Sequence, residues 1–316
     1  MTLNRIILLT LGPLGLVGAV YAVSFPAPRH GHHVRVSEQV EGEARAALIR
    51  STKDHALAAA CGASARELAP TLPANCSVII RPPFVLAGDR SERELDQLYD
   101  ETVLPVTSAL WRSFFDRKPD RPVTIVALSN QSAYESTAAD LDGYEASAYA
   151  GYTQRGQRRI VVNLETGRGT LAHELAHLLA LFDFPEMPEW FDEGLAALHE
   201  EGAFADDGLT IVGQSNWRSR FLRSALERDA MPRLEEVIRN PAFRGEGEGL
   251  NYAMVRAFCH YLQHRQLLSH FYRKFRDGAV ADPTGIATLC ELLGVTSIDE
   301  VEREFRQWVA TSPAAR

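Results

Sequence analysis

The chain has 316 residues, of which 46% are hydrophobic and 23% charged, and a formal net charge of -8 at pH 7. That is enough apolar material for a sizeable core, in one large domain or two small ones. The acidic balance, with no basic face standing out, excludes a protein built to hold nucleic-acid phosphates.

In chain order, the first element is residues 6–25, an uncharged apolar run preceded by Arg5. It is long enough to span a bilayer and also suits the apolar stretch of a secretory signal, so residues 1–28 are expected to direct export. Val20, Tyr21 and Ala22 offer a cleavage site near Ala22, whereas the length of the run favours retention as a membrane anchor. Both outcomes stay open, and either places the rest of the chain at the periplasmic or cell-surface side. Residues 29–75 read as a linker followed by a helical segment. His30, His32 and His33 form a short His-rich tract in its Pro- and Gly-containing start, with adventitious metal affinity at most. A helix rich in Ala, Glu and Arg is expected over 38–60, then a loop around Pro70 and Pro73.

Residues 76–202 are expected to form a mixed α/β lobe. A strand over 77–86 carries Val78, Ile79, Ile80, Phe84 and Val85 and is interrupted by Pro82 and Pro83. Over 91–115 the spacing of Leu95, Leu98, Val103, Leu104, Leu110, Trp111 and Phe115 predicts a long amphipathic helix, stopped by Pro119 and Pro122. A second strand covers 123–128. Residues 148–153 and 159–163 read as a hairpin, with Arg155, Gly156, Arg158 and Arg159 at its tip.

Residues 170–180 read T-L-A-H-E-L-A-H-L-L-A. Leu171, Leu175, Leu178 and Leu179 make an apolar stripe at helical spacing, and Gly167 and Gly169 break the chain just upstream. On that helix His173 and His177 stand four positions apart and project from one face. Two imidazole nitrogens can then converge on one metal ion, with Glu174 beside them. A second helix follows in 185–201, P-E-M-P-E-W-F-D-E-G-L-A-A-L-H-E-E, with Pro188 in its first turn and Trp190, Phe191, Leu195 and Leu198 on its apolar face. Glu193 would be aimed inward beside the small Gly194, and a carboxylate so placed needs a partner such as a cation held by the preceding helix. Two histidines, a third ligand and one open position describe a catalytic zinc site.

Residues 203–316 are expected to form a helical lobe, with helices over 217–227, 233–239, 250–264 and 269–275 and a loop at 245–249. Gly294 closes one further helix, and Ser297 with Glu300 forms a capping box that opens the last, through Trp308. Cys61, Cys76, Cys259 and Cys290 make no C-x-x-C pair. In an oxidising compartment proximity favours disulfides between Cys61 and Cys76 and between Cys259 and Cys290, the alternative being buried free thiols.

The two motifs H-E-L-A-H and W-F-D-E-G-L-A together resemble the gluzincin branch of zinc metallopeptidases, most closely bacterial proteins with a peptidase MA-like domain, over roughly residues 78–309. The resemblance implies an α+β zincin-like fold: a small mixed sheet lobe, a central HExxH helix and a C-terminal helical lobe, with the cleft between the lobes. It implies that His173, His177 and Glu193 bind Zn2+ and that Glu174 is the catalytic base. Zinc so held lowers the pKa of a bound water toward ~7, and Glu174 takes its proton and returns it to the departing amine. Tyr252, on a later helix, matches the tyrosine that aminopeptidase-like gluzincins use as oxyanion donor. It could equally be a packed aromatic, and His260, His264 and His270 compete for the role. Residues 160–163 are the candidate cleft-rim strand, whose exposed edge would accept an extended peptide, the alternative being an ordinary core strand. The implied function is an exported zinc metallopeptidase acting on a peptide or protein substrate, touching the membrane through its N-terminal segment if uncleaved. The other reading is a zincin-like envelope binding or assembly factor that keeps the metal without hydrolysis. No motif separates aminopeptidase from endopeptidase action.

Overall fold

Three parallel strands form the middle of the sheet: β3 (Phe84–Gly88), β4 (Val123–Leu128) and β6 (Arg159–Asn163). They are buried on both faces, which is why their sequences are near-continuous apolar runs rather than alternating ones. β2 (Ser77–Arg81) flanks β3 antiparallel at one side, and β5 (Gly151–Gln154) flanks β6 antiparallel at the other. The computed structural model describes residues 6–8, 52–147, 149–240, 243–245 and 247–312. Within it, Ile6–Leu8 (β1) pairs antiparallel outside β5, so the order is β1-β5-β6-β4-β3-β2.

Side chains that alternate along the central strands serve two different layers. Phe84, Leu86, Ile125, Ala127, Ile160 and Val162 join the main core. There the sheet meets α2 (Glu92–Leu98), α3 (Leu104–Ser113) and α5 (Gly169–Asp183). Val85, Ala87, Val126, Leu128 and Val161 face the other way, against α1 (Thr52–Leu68) and α4 (Gln131–Asp142). After α5 come α6 (Glu189–Glu200), a hairpin of β7 (Gly202–Phe204) and β8 (Ile211–Gly213), α7 (Trp217–Glu227), α8 (Leu234–Arg239), α9 (Glu248–His264), α10 (Leu268–Gly278), α11 (Ile286–Leu293) and α12 (Ile298–Thr311). The fold class is α+β with a mixed sheet. Its main core runs from Ile79 in β2 to Val309 in α12.

Several expectations are corrected. The run at 77–86 is two strands turning on the cis Pro82–Pro83 peptide. The helix expected over 91–115 is capped at Ser91, whose hydroxyl and Glu94 form a capping box, but its middle is a π-helical segment, Tyr99–Val103. Pro105 explains the break: it has no N–H to donate one turn back, and its ring crowds the carbonyl there, so the backbone widens just ahead of it. The helix α4 was not anticipated, although both its ends are written locally: Asn130 accepts from the Ala133 N–H at 3.0 Å, and Gly143 closes it at φ 59°. At α12 only half the expected box forms. Ser297 caps the Glu300 N–H, while the Glu300 carboxylate turns to Thr296 instead.

All four cysteines are free thiols, which overturns the two expected disulfides. The Cys61 thiol is buried and points at the Pro83 carbonyl oxygen, 3.5 Å away, and Cys259 is sealed between α9 and α6. Of the expected N-terminal features, residues 9–25, the tract of His30, His32 and His33, and the helical stretch 38–51 lie outside the described residues. Among the described residues no helix is long and apolar enough to cross a membrane.

The far end of α5 is anchored by a buried carboxylate. Asp183 accepts from the backbone N–H groups of Asp116 at 3.0 Å and Arg117 at 2.7 Å, from the Tyr272 hydroxyl at 3.0 Å and from Arg276 Nη1 at 2.7 Å. It thereby ties α5 to the exit from α3 and to α10. Removing one member of such a buried cluster strands the others, so Asp183→Ala is expected to lower unfolding free energy by about 3–5 kcal/mol. Urea denaturation at constant m-value measures it, and a loss of only a few tenths would refute the assignment.

Candidate metal centre

The helices α5 and α6 meet with their motif faces inward, and both are buried along most of their length. His173, Glu174 and His177 on α5 and Asp192 and Glu193 on α6 are all buried, with His173 and Glu174 fully so. Two glycines permit the close packing. A Cβ at Gly194 would stand 2.8 Å from both the Cys259 sulfur and the Val255 carbonyl oxygen, so this position lets α9 press onto α6. At Gly151 a Cβ would meet the Thr170 methyl at 2.7 Å and the Glu174 Cγ at 3.5 Å, so β5 lies directly on α5. The glycine after Glu193 thus serves packing, and Glu193 alone of that pair carries chemistry.

The three residues expected to be ligands come together. The two Nε2 atoms of His173 and His177 are 2.9 Å apart, and each lies 3.5 Å from Glu193 Oε2. These atoms form a group that could hold a metal ion. A point equidistant from them lies about 2 Å from each, the length of zinc–nitrogen and zinc–carboxylate bonds. Glu193 Oε2 is buried and has no hydrogen-bond partner, which is costly for a carboxylate oxygen and natural for one reserved for a cation. Donor type, spacing and this orphaned oxygen all fit a bound metal ion.

Around the triangle stand residues that hold it. His177 Nδ1 donates to Asp192 Oδ1 at 2.8 Å, leaving Nε2 to face the centre. Asp192 is held in turn by Arg155 Nη1 at 3.1 Å, and Arg155 Nη2 also reaches the Pro185 carbonyl at 3.2 Å. Of the arginines expected at a hairpin tip, Arg155 and Arg158 sit between β5 and β6, and Arg155 reaches back to the centre, while Arg159 opens β6 and pairs with Asp142. On the other side, Arg244 contacts Glu193 Oε1 and donates through Nε to Glu189 Oε1 at 2.8 Å. Sequence reasoning passed over Asp192, Arg155, Thr153 and Arg244. Asp192 was visible inside W-F-D-E, adjoining the ligand, whereas the other three reach the site only through the fold.

Glu174 lies against the centre with its two oxygens in different surroundings. Oε2 accepts from the Thr153 hydroxyl of β5 at 2.7 Å, and Oε1 is buried without a partner. Burial pushes this carboxyl up to about 8, against the pull of His177 and the Thr153 hydrogen bond. Burial also lowers His173 and keeps it neutral. Burial would depress His177 as well, but the charges of Asp192 and Glu193 overcome it and carry this imidazole up to about 10. His177 therefore holds a proton where a cation would sit.

Tyr252, expected as oxyanion donor, is buried on α9, edge-on to Phe243 with ring centres 5.2 Å apart, and the Arg244 guanidinium lies 5.9 Å from its ring centre. Burial, then the charge of Glu193, holds its hydroxyl in the protonated form. Tyr144 and Tyr149, in the segment between α4 and β5, feel the charges of Glu174 and Glu248 respectively, and both feel Arg244. The competing histidines stand elsewhere. His260 and His264 pack on Trp308 of α12, and His270 is exposed. Residues 160–163 form an inner strand and not a rim: β6 is paired on both sides, to β4 and to β5, and β5 is paired in turn to β1. The reason is order in the sheet: the hairpin folds so that its first strand, not its second, lies outward.

No protein-family model matches the chain, and no curated protein matches its sequence. The site stands on its own geometry.

Two outcomes follow. Asp192→Asn keeps the shape but loses the charge that steadies His177, and weakens metal binding about 10–100-fold in chelator competition. Because His177 is protonated in the metal-free chain, binding must expel that proton, so affinity rises as pH rises toward 10 and protons are released on binding. Titration calorimetry in buffers of different ionisation enthalpy reads the release; a pH-independent affinity would contradict it.

Proposed function

We propose that the chain is a zinc-dependent metallopeptidase of gluzincin type that hydrolyses peptide bonds. The observation that carries this reading is the buried triangle of His173, His177 and Glu193, with the fully buried Glu174 carboxyl close enough to feel the charges of His177 and Glu193. A zinc ion in the triangle would supply a Lewis acid that polarises a carbonyl and makes water a usable nucleophile near neutral pH.

The chain's own residues account for the proton movements. Glu174 is anchored through Oε2 by Thr153, which leaves the unpartnered Oε1 to take a proton from the attacking water. Burial favours the neutral carboxyl, so the proton is retained until the departing amine nitrogen can accept it. A structural helix has no need of a fully buried, half-satisfied carboxyl at this position, and for that reason hydrolysis is preferred over a binding or assembly role. Tyr252 takes the part of oxyanion donor, because its hydroxyl stays protonated beside Glu193 and Arg244. The mixed sheet on one side of α5 and the helices α6 and α9 on the other support a zincin-like arrangement. The uncharged run at 6–25 supports export.

The test pairs two variants with quenched fluorescent peptides as substrate. Glu174→Gln is expected to bind zinc stoichiometrically and lose at least about 100-fold in kcat/KM. Loss of zinc together with activity, or full activity in this variant, would overturn its role as base, and zinc binding without any cleavage by the wild type would favour the binding-factor reading. Tyr252→Phe is expected to lower kcat by about 100-fold with KM little changed. An unaltered kcat would leave Tyr252 as a packed aromatic.

A further inference from the structure

We propose that Arg244 is a positioning residue that presents Glu193 to the metal as a one-oxygen ligand. The inference rests on the metal site proposed above and concerns a residue far outside both motifs, in the loop between α8 and α9.

The two oxygens of Glu193 have separate tasks. Oε2 faces both imidazole Nε2 atoms at 3.5 Å and lacks any hydrogen-bond partner, whereas Oε1 is in contact with Arg244 Nη2. The guanidinium cannot swing freely, since its Nε donates to Glu189 Oε1 at 2.8 Å. Glu189 and Glu193 are one turn apart on α6 and lie on the same face, so a planar fork can span them both. A lysine could hold only one. The side chain of Arg244 is 22% exposed and that of Glu193 1%, so the pair is screened little by solvent.

A carboxylate with both oxygens free rotates readily and can bind a dication through both. That adds a ligand atom and fills the position a substrate would need. With Oε1 engaged by Arg244, only Oε2 is available. The centre then keeps two nitrogens, one oxygen and an open place. Arg244 also offsets the charge of Glu189, which would otherwise repel the buried carboxylate one turn away.

The experiment compares the wild type with Arg244→Gln, Arg244→Lys and Glu189→Gln. Each is loaded with Zn2+ for chelator competition and with Co2+ for visible absorption, whose intensity falls as coordination rises above four. Arg244→Gln is expected to weaken zinc binding about 10–100-fold and to dim the cobalt bands. Arg244→Lys should recover part of the affinity but not the bands. Glu189→Gln, which leaves the Glu193 contact in place and perturbs the fold least, should show a smaller change in the same direction. Wild-type affinity and bands in Arg244→Gln, or in Glu189→Gln should the former not fold, would overturn the inference while leaving the metal site intact. Absence of metal binding by the wild type would overturn both.

Discussion

Everything around the centre answers to one constraint: several ionisable side chains are buried together where α5 meets α6. Isolated charges in such a place would cost many kcal/mol, so each must be neutral, paired or bound to a cation. In the metal-free chain Glu174 takes the first course, held up to about 8 by burial, and a cation in the triangle would draw that proton off and leave a carboxylate. Asp192 takes the second, between His177 and Arg155, and Glu193 shares its charge between the imidazoles and Arg244. The proton carried by His177 in the metal-free chain balances the same account from inside.

The electrostatic frame reaches well beyond the two motifs. Arg155 comes from the hairpin tip between β5 and β6, Thr153 from the strand before it, and Arg244 from a loop after α8. Three separate parts of the chain thus converge on a helix pair that supplies the ligands. The sheet contributes through β5, which lies so close to α5 that only glycine fits at position 151. Sheet residues and the helices that carry the centre share one main core.

How far the sequence was legible depended on the range of the interactions concerned. The ligand triplet was readable because helical spacing alone puts His173 and His177 on one face, and because a buried Glu193 demands a cation. Most helices and the strands β4 and β6 were readable from periodicity and breakers, as was the Ser297 cap. The π-helical segment was hidden, since the apolar spacing over 91–115 runs straight through Pro105. The hairpin β7–β8 and the helix α4 were missed because both are short or weakly amphipathic. Which strand lies outward was decided by sheet order, to which a strand's own alternation is blind. The disulfides failed for a similar reason: closeness in sequence said nothing about Cys61 facing Pro83 or Cys259 being closed in by Gly194.

The contact at Gly194 has a mechanical side. With the Val255 carbonyl and the Cys259 sulfur where a methyl group would go, α9 and α6 leave each other no space to slide or roll. Glu193 and Tyr252 therefore ride on a single stiff body, their separation set by backbone rather than by side-chain habit.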